Sequence, residues 1–263
     1  ISLEGVASKK KYYDNLPFFF SNKNIESFTS NMNFVRASYE VGQGRSALFR
    51  ASVAYGEQYK VKIGKGVLEY DYNTLGERTF PSTGRRFNVS LSGMRMMSKS
   101  LDNDVRINEA VWRGKLDVLW NNYYSVTGNF TMGALAQGGI SIGKRFTDAK
   151  SDLMTSNYFM PLESMDNCYI SQLRGDDYVA FGAIPVWNMM QRVQLRGETY
   201  VYTKFRESSE WNVPFAKAAF LGRISVVGTL PFATISVSAS YSTPLNGWNV
   251  GVAIGWFVPN PKL

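Results

Sequence analysis

One pentapeptide in the chain, Gly139-Ile140-Ser141-Ile142-Gly143, has the spacing of a serine nucleophile. In hydrolases with the G-x-S-x-G pattern, the serine lies on a strained turn between a hydrophobic strand and a helix. Here Gln137-Gly138 precedes the pentapeptide and the basic pair Lys144-Arg145 follows it, in a segment that alternates like a strand. We therefore interpret Ser141 as a strand residue whose side chain faces the inside of the fold.

The other candidates for chemistry are carboxylates in one long polar segment. Asp166, Asp176 and Asp177 lie in or beside residues 147–177 and could bind a divalent cation, but loop carboxylates solvated by water are the favoured interpretation. The chain has no His and one cysteine, Cys168, which excludes His-based triads, thiolate metal clusters and an intramolecular disulfide. The residues thus provide no catalytic, cofactor-binding or metal-binding set, and we expect no cofactor.

The composition limits the class of protein. Of the 263 residues, 14% are aromatic and 19% are charged, and the mean hydropathy is −0.20. The apolar runs are much shorter than the roughly 18 to 20 residues of a membrane-spanning helix, because apolar and polar residues alternate. The net charge is +8, but the only dense basic run is at residues 9–11, so we expect no nucleic-acid partner.

Two segments alternate strictly between a bulky apolar face and a polar or small face. In residues 248–256, Trp248 and Trp256 share one face with valine and isoleucine. In residues 111–120, Trp112 and Trp120 share the apolar face, and the other face carries three charges. Tryptophan prefers the headgroup level of a bilayer, and the tilted strand between two such residues spans roughly 20 Å, close to the apolar band of an outer-membrane barrel. These four tryptophans are therefore predicted to form a membrane-interface girdle.

The same period of two continues along most of the chain, with turn residues between the segments. In the second half, the connections at 147–177 and 205–216 are long, whereas those at 188–192 and 229–233 are short. This rhythm is typical of outer-membrane barrels, with the short turns and the C-terminus in the periplasm. We predict an all-β fold: a transmembrane antiparallel β-barrel of about 12 to 16 strands, with residues 1–263 as one domain in the bacterial outer membrane. The alternative is that such strands are edges of a large soluble sheet.

The arrangement after residue 160 resembles that of a known family. Arg174 is followed by a Tyr178-x-Ala180-x-Gly182 strand and then by strand-like segments at 195–202, 226–231, 236–241 and 248–257. This order resembles the C-terminal barrel of the patatin-like phospholipases of the Bacteroidota, which is related to the barrel of the outer-membrane assembly-factor superfamily. The family's catalytic patatin domain, which precedes its barrel, is absent from these residues. We therefore expect a partial chain whose N-terminal portion is not present.

The resemblance implies a membrane-anchoring or translocating barrel. It also implies that any lipid acyl hydrolase activity belongs to the N-terminal segment that is not among these residues. The alternative function is a complete small outer-membrane channel, or a structural subunit of an outer-membrane complex. The expected partners are outer-membrane lipid and lipopolysaccharide, together with other outer-membrane subunits or further copies of the chain.

The resemblance also singles out Arg174. The assembly-factor superfamily keeps an inward-folded loop with an arginine where this chain has its longest non-periodic segment, 147–177. Arg174 is therefore expected to fold into the lumen and to pair with a carboxylate of the barrel wall, Glu198 as first choice and Asp117 as second. The polar faces of the strands mix acidic and basic residues, which favours a filled or gated barrel over a highly selective pore.

Overall fold

The structure, a computed structural model, describes residues 1–13, 27–58, 61–76, 80–98, 110–144, 149–162, 165, 168–207, 210–211, 218–230 and 233–255. Strands dominate these residues, and the predicted all-β class is confirmed. A short helix, α1 (Ala149–Thr155), precedes the second half of the chain. Among the described residues, no helix is both long and apolar enough to cross a membrane.

Twelve long strands follow one another in the main sheet, each hydrogen-bonded to the next. Their bounds are β1 (Ser2–Tyr13), β2 (Ser27–Gln43), β3 (Ala47–Gln58), β4 (Val61–Asn73), β5 (Arg85–Ser98), β6 (Val111–Thr127), β7 (Phe130–Gly143), β10 (Asp177–Met190), β11 (Val193–Glu207), β13 (Ala219–Thr229), β14 (Thr234–Ser242) and β15 (Gly247–Gly255). The short β12 (Glu210–Trp211) pairs with β11, and β8 (Asn157–Tyr158) pairs with β9 (Arg174–Gly175) in a separate sheet. Two short 3-10 helices cover Ser171–Leu173 and Thr243–Leu245.

The main sheet is an antiparallel meander in which neighbours in the chain are neighbours in space. The one large interruption is the segment 144–176, called here the insert, which separates β7 from its partner β10. β1 and β15 stand at the two ends of the strand order, and no pairing joins them in the described part of the chain. The sheet is therefore open as described, and its closure into a barrel is not shown.

The two faces of the sheet differ in the way that the alternation predicts. On β6, Trp112 is 59% exposed while its neighbour Arg113 is fully buried. Successive side chains of a strand point to opposite faces, so the outward face of the whole sheet can be followed by register. Its exposed apolar side chains include Val35, Tyr39, Val53, Tyr55, Leu68, Leu91, Trp112, Val118, Ile140, Phe181, Trp187, Phe220, Ile224, Val237, Trp248, Val250 and Ile254.

The insert covers a large part of the inward face of the sheet. One apolar cluster joins Phe159, Leu162 and Leu173 of the insert to Tyr178 of β10 and to Tyr202 of β11. A second cluster packs Met154 of α1 against the inward side chains of three neighbouring strands, namely Val61, Ile63, Met94, Met96 and Val111. Burying each large apolar side chain stabilises the fold by about 1.5–3 kcal/mol. The insert is therefore an integral part of the core.

Several segments that have turn residues in the sequence lie inside strands. Residues 63–66 contain two glycines, which are typical of a turn, but they belong to β4, where Val61 and Ile63 pack inward against α1. Residues 121–125 are polar and also typical of a turn, yet β6 continues to Thr127. The basic run at 9–11 lies within β1, and residues 205–207 lie within β11. In each case the strand is longer than the sequence pattern suggests, because hydrogen bonding to neighbouring strands overrides local turn propensity.

Candidate functional site

The candidate site is the inner face where the insert meets the wall of the sheet. Its apolar floor is a group of aromatic rings: Phe159 of the insert stacks on Tyr202 with a centroid distance of 6.0 Å, and Tyr178 lies 5.3 Å from the same Tyr202 ring. Phe159 also meets Tyr200 edge-on at 5.8 Å. Such aromatic pairs add about 0.5–1.5 kcal/mol each beyond the burial of their area. They fix the position of the polar residues that follow in the insert.

Arg174 lies inside the fold, where only 3% of its surface is exposed. Its guanidinium lies over the rings of Tyr158 and Tyr169, at 5.0 and 5.5 Å from their centroids, and donates a 3.2 Å hydrogen bond to the hydroxyl of Ser156. Burial lowers the pKa of Arg174 from its ordinary value, an effect that the nearby carboxylate of Asp152 opposes. Aromatic faces and one hydroxyl thus surround this cation in place of a bidentate carboxylate.

The expected pairing of Arg174 with Glu198 is wrong. Glu198 is already occupied: one carboxylate oxygen accepts a 2.6 Å hydrogen bond from Arg196 and the other a 2.8 Å bond from Arg223. The second choice, Asp117, is likewise not among the described contacts of Arg174. Each oxygen of Glu198 thus binds a guanidinium other than that of Arg174.

Glu198 is instead the centre of a second buried cluster, formed by the wall and by the connection between β4 and β5. Arg196 donates to the backbone carbonyl of Pro81 at 2.7 Å and to the hydroxyl of Tyr123 at 2.9 Å. The ring of Phe80, which is buried, lies beneath the guanidiniums of Arg196 and Arg223. This cluster attaches the 74–84 connection to β11 from the opposite end of the strands.

The candidate nucleophile Ser141 is a structural residue of β7. Its side chain is buried on the inward face, as predicted, where the hydroxyl donates to the carbonyl of Asp176 at 2.8 Å and accepts from Arg113 at 2.6 Å. Ser141 pairs with Lys115 in the β6–β7 ladder, which continues to Gly143, so the strained strand-to-helix turn of a nucleophile elbow is not formed at Ser141.

The carboxylates of Asp176 and Asp177 are not solvated loop charges, as the sequence suggested. Asp176 accepts from Arg113 at 2.5 Å, and both side chains are almost fully buried. Asp177 accepts from Arg206 at 2.7 Å. Each acid has an arginine partner, and no group of three metal-ligating side chains occurs among the described residues. The third acid of the expected set, Asp166, lies outside the described residues.

Three of the four predicted girdle tryptophans lie on the outward face. Trp112 and Trp120 are exposed on β6, and Trp248 is exposed on β15, where its ring contacts Tyr241 at a centroid distance of 5.3 Å. Trp256 lies outside the described residues. The outward face also carries Trp187, which the pairwise tryptophan pattern did not single out.

No protein-family model matches the chain, and a search of curated proteins finds no relative.

Sequence reasoning missed most of the residues that hold the inner face together. Arg113, Arg206 and Tyr123 find their partners through register and through the path of the insert, neither of which a single sequence displays. One signal was available: Arg196 and Glu198 stand two residues apart on the same face of a strand, within reach of each other. Among the described residues, the assembled site pairs buried charges and fills the interior with apolar side chains.

Proposed function

We propose that the protein is a β-barrel of the bacterial outer membrane that serves as the membrane-anchoring or translocating domain of a larger protein. One observation carries the proposal: large apolar side chains are exposed along one face of the main sheet, from Val35 on β2 to Ile254 on β15. Soluble proteins rarely expose contiguous apolar patches above a few hundred Å², and their sheets turn the polar face to water. Here the insert covers much of the polar face, and the apolar face is the exposed one, so lipid is the solvent that suits the apolar face.

Contacts across the inner face support a closed barrel. Arg196 of β11 reaches Tyr123 of β6, although β7 and β10 lie between those strands. The backbone N–H of Tyr169 in the insert donates to the carbonyl of Tyr13 at the end of β1, at 2.8 Å. The sheet is therefore strongly curled. Because β1 and β15 run in opposite directions, pairing these edges would complete an antiparallel barrel and remove both free edges.

The lengths of the connections support an orientation. The end of the strands that carries the insert also carries the 14–26, 99–110 and 208–218 connections, together with the short ones at 59–60 and 243–246. The other end has short turns at 44–46, 128–129, 191–192 and 230–233, and one longer connection at 74–84. Outer-membrane barrels place long loops outside and short turns in the periplasm. The insert would then close the barrel from the outside, and the 74–84 connection would close it from the periplasm.

The filled interior favours an anchor over an open pore. The insert and the 74–84 connection both bury side chains against the wall, in the apolar clusters and in the Arg196–Glu198–Arg223 group. This is the arrangement expected of the barrel that the sequence resembles, in which another segment of the protein acts and the barrel holds it at the membrane.

A second candidate function, a small channel, is favoured by the inner face of the first strands. There the ion pairs Arg36–Glu4 and Arg50–Glu40 are partly open to solvent, with side-chain exposures between 24% and 46%. These charged side chains remain in contact with water beside the part of the interior that the insert fills, and they could line a narrow aqueous path. This candidate differs from the anchor in one property, which is ion conductance.

Refolding into phosphatidylcholine vesicles tests the membrane proposal. The protein should gain β-sheet circular dichroism, resist protease, and migrate differently on gels with and without heating. A chain that stays in the aqueous phase and is digested completely would overturn it. Planar-bilayer recording then separates the two candidates, because a filled anchor is silent and a channel conducts. For the anchoring role, the mass of the mature native protein should clearly exceed the 29.6 kDa of this chain.

A further inference from the structure

The outward face carries an apolar groove over β2 to β5. Its volume is about 560 Å³, within the range of about 300–1,000 Å³ of pockets that hold small ligands. The floor is formed by small residues, Ala51, Gly66 and Gly93, of which Gly66 and Gly93 are direct partners in the ladder. The walls are formed by exposed side chains on either side of that floor: Tyr39, Val53, Leu68 and Leu91.

The floor is open. A Cβ atom added at Gly66 or at Gly93 would meet no other atom within 4 Å. These glycines therefore do not serve close packing within the chain, which is the usual reason for glycine inside a strand. They leave space between the flanking side chains that another apolar molecule can fill.

Basic and aromatic side chains stand at one end of the groove. Arg95 lies two residues beyond Gly93 on β5, which places it about 7 Å further along the strand, and Lys62 follows one step later on β4. Both side chains are exposed on the outward face. Trp112 is the ladder partner of Arg95. One carboxylate, Glu57, is the ladder partner of Lys62, so the net charge at this end is positive.

From this arrangement we infer a binding site for an anionic lipid of the outer leaflet, with an acyl chain in the groove and a phosphate at Arg95 and Lys62. The inference rests on the proposed function, because it requires the outward face to meet lipid. An arginine fork matches phosphate oxygens, and tryptophan settles at the headgroup level. The basic end lies on the side of the long connections, which the proposed orientation places outside. The occupant is therefore the phosphorylated, multiply acylated glycolipid of that leaflet, the lipid A part of lipopolysaccharide.

The experiment compares lipid retention by inserted protein. The full chain is refolded into phosphatidylcholine vesicles that contain either bisphosphorylated lipid A or phosphatidylglycerol, and insertion is first confirmed by protease resistance. The protein is then extracted with mild detergent, and native mass spectrometry measures the fraction that carries each lipid. The test variants are Lys62→Ala/Arg95→Ala, which removes the cations, and Gly93→Leu, which places a side chain in the groove from a position where an added Cβ meets no atom within 4 Å.

Matched controls carry the same changes elsewhere. Arg45→Ala/Arg192→Ala removes two exposed cations from turns at the other end of the strands. Gly5→Leu adds the same side chain on the outward face of β1, where the glycine is equally open but does not line the groove.

The expected result is preferential retention of lipid A by the wild type and by both controls. The double cation variant should lose about 30-fold in affinity, since each basic residue near a lipid surface contributes about a factor of five. Gly93→Leu should also lower retention. Equal retention by all variants, or equal retention of phosphatidylglycerol by the wild type, would overturn the inference while leaving the barrel intact. If the wild type and all variants fail to insert into the vesicles, that result would instead overturn the proposed function.

Discussion

The guanidinium of Arg113 and the carboxylate of Asp176 meet at 2.5 Å where both side chains are almost completely hidden from solvent. The two residues are 63 positions apart, one on β6 and the other at the end of the insert. Ser141 completes the contact from β7, since it accepts from Arg113 and donates to the backbone of Asp176. The pair therefore attaches the returning end of the insert to the wall of the sheet.

The first prediction concerns this pair. Asp176→Ala should destabilise the folded state by about 3–5 kcal/mol, because it removes a buried carboxylate that binds the buried guanidinium of Arg113. Urea titration of the vesicle-refolded protein, followed by gel mobility without heating, measures the change in midpoint.

The matched control for Asp176→Ala is Glu4→Ala, which breaks the Arg36–Glu4 pair. That pair is partly exposed, so its loss should cost no more than about 1 kcal/mol. The double variant Arg113→Met/Asp176→Leu should recover most of the loss, since it removes both charges together. If Asp176→Ala and Glu4→Ala shift the midpoint equally, the buried pair does not hold the insert.

The second prediction concerns Glu198, which binds two arginines. Glu198→Ala should destabilise the protein by about 3–5 kcal/mol or more, because Arg196 and Arg223 would face each other without an intervening anion. Protease sensitivity should rise in the 74–84 connection, since Arg196 holds the carbonyl of Pro81.

A matched acid for comparison is Glu40. Its partner Arg50 also bonds Glu69, so Glu40→Ala leaves that cation paired, and the side chains are partly exposed. The expected cost is below about 1 kcal/mol. Comparable losses for Glu198→Ala and Glu40→Ala would contradict the assignment of Glu198 as the centre of a buried cluster.

The alternation of the sequence was sufficient to predict the all-β class and the face of most strands. On β6 it placed Trp112 outward and Arg113 inward, as the structure has them. The alternation failed where glycines occur within a strand. Gly64 and Gly66 are residues typical of a turn, but they lie on the outward face of β4, where no other side chain packs closely against them. A glycine that forms a turn and a glycine at an uncrowded strand position cannot be distinguished from a single sequence.

The candidate site was less predictable than the fold. The inward position of Arg174 agrees with the expectation, but its partners depend on the path of the insert, which brings Tyr158 and Tyr169 to it from different parts of the chain. Glu198 could not be assigned correctly without the register of β11 with β13, which places Arg223 directly opposite. Long-range pairings of this kind follow from the assembled sheet and not from local pattern.

The third prediction tests the outward face against lipid. Val118→Arg and Val250→Arg should each cost about 2–4 kcal/mol in a folding titration into vesicles, since both valines are exposed on the face that would meet hydrocarbon. Arginine at Ser90 should be tolerated, because this position lies on the inner face between its ladder partners Glu69 and Asp117. Equal sensitivity at Val118 and Ser90 would show that the apolar face does not meet lipid.

The last prediction uses the only cysteine of the chain to report on the insert. Cys168 lies in the insert, is 1% exposed and packs in the apolar cluster between the insert and the sheet, so a polar maleimide should label it only when the insert opens. Arg174→Ala removes the contacts with two tyrosine rings and Ser156, and labelling should become at least about tenfold faster, equivalent to about 1.4 kcal/mol of lost closure. The labelling rate of Arg174→Lys should lie between those of the wild type and Arg174→Ala, since an ammonium keeps the charge but not the planar stacking.

Arg192→Ala, in an exposed turn, serves as the control and should be labelled at the rate of the wild type. If Arg174→Ala and Arg192→Ala label at the same rate, Arg174 does not hold the insert closed.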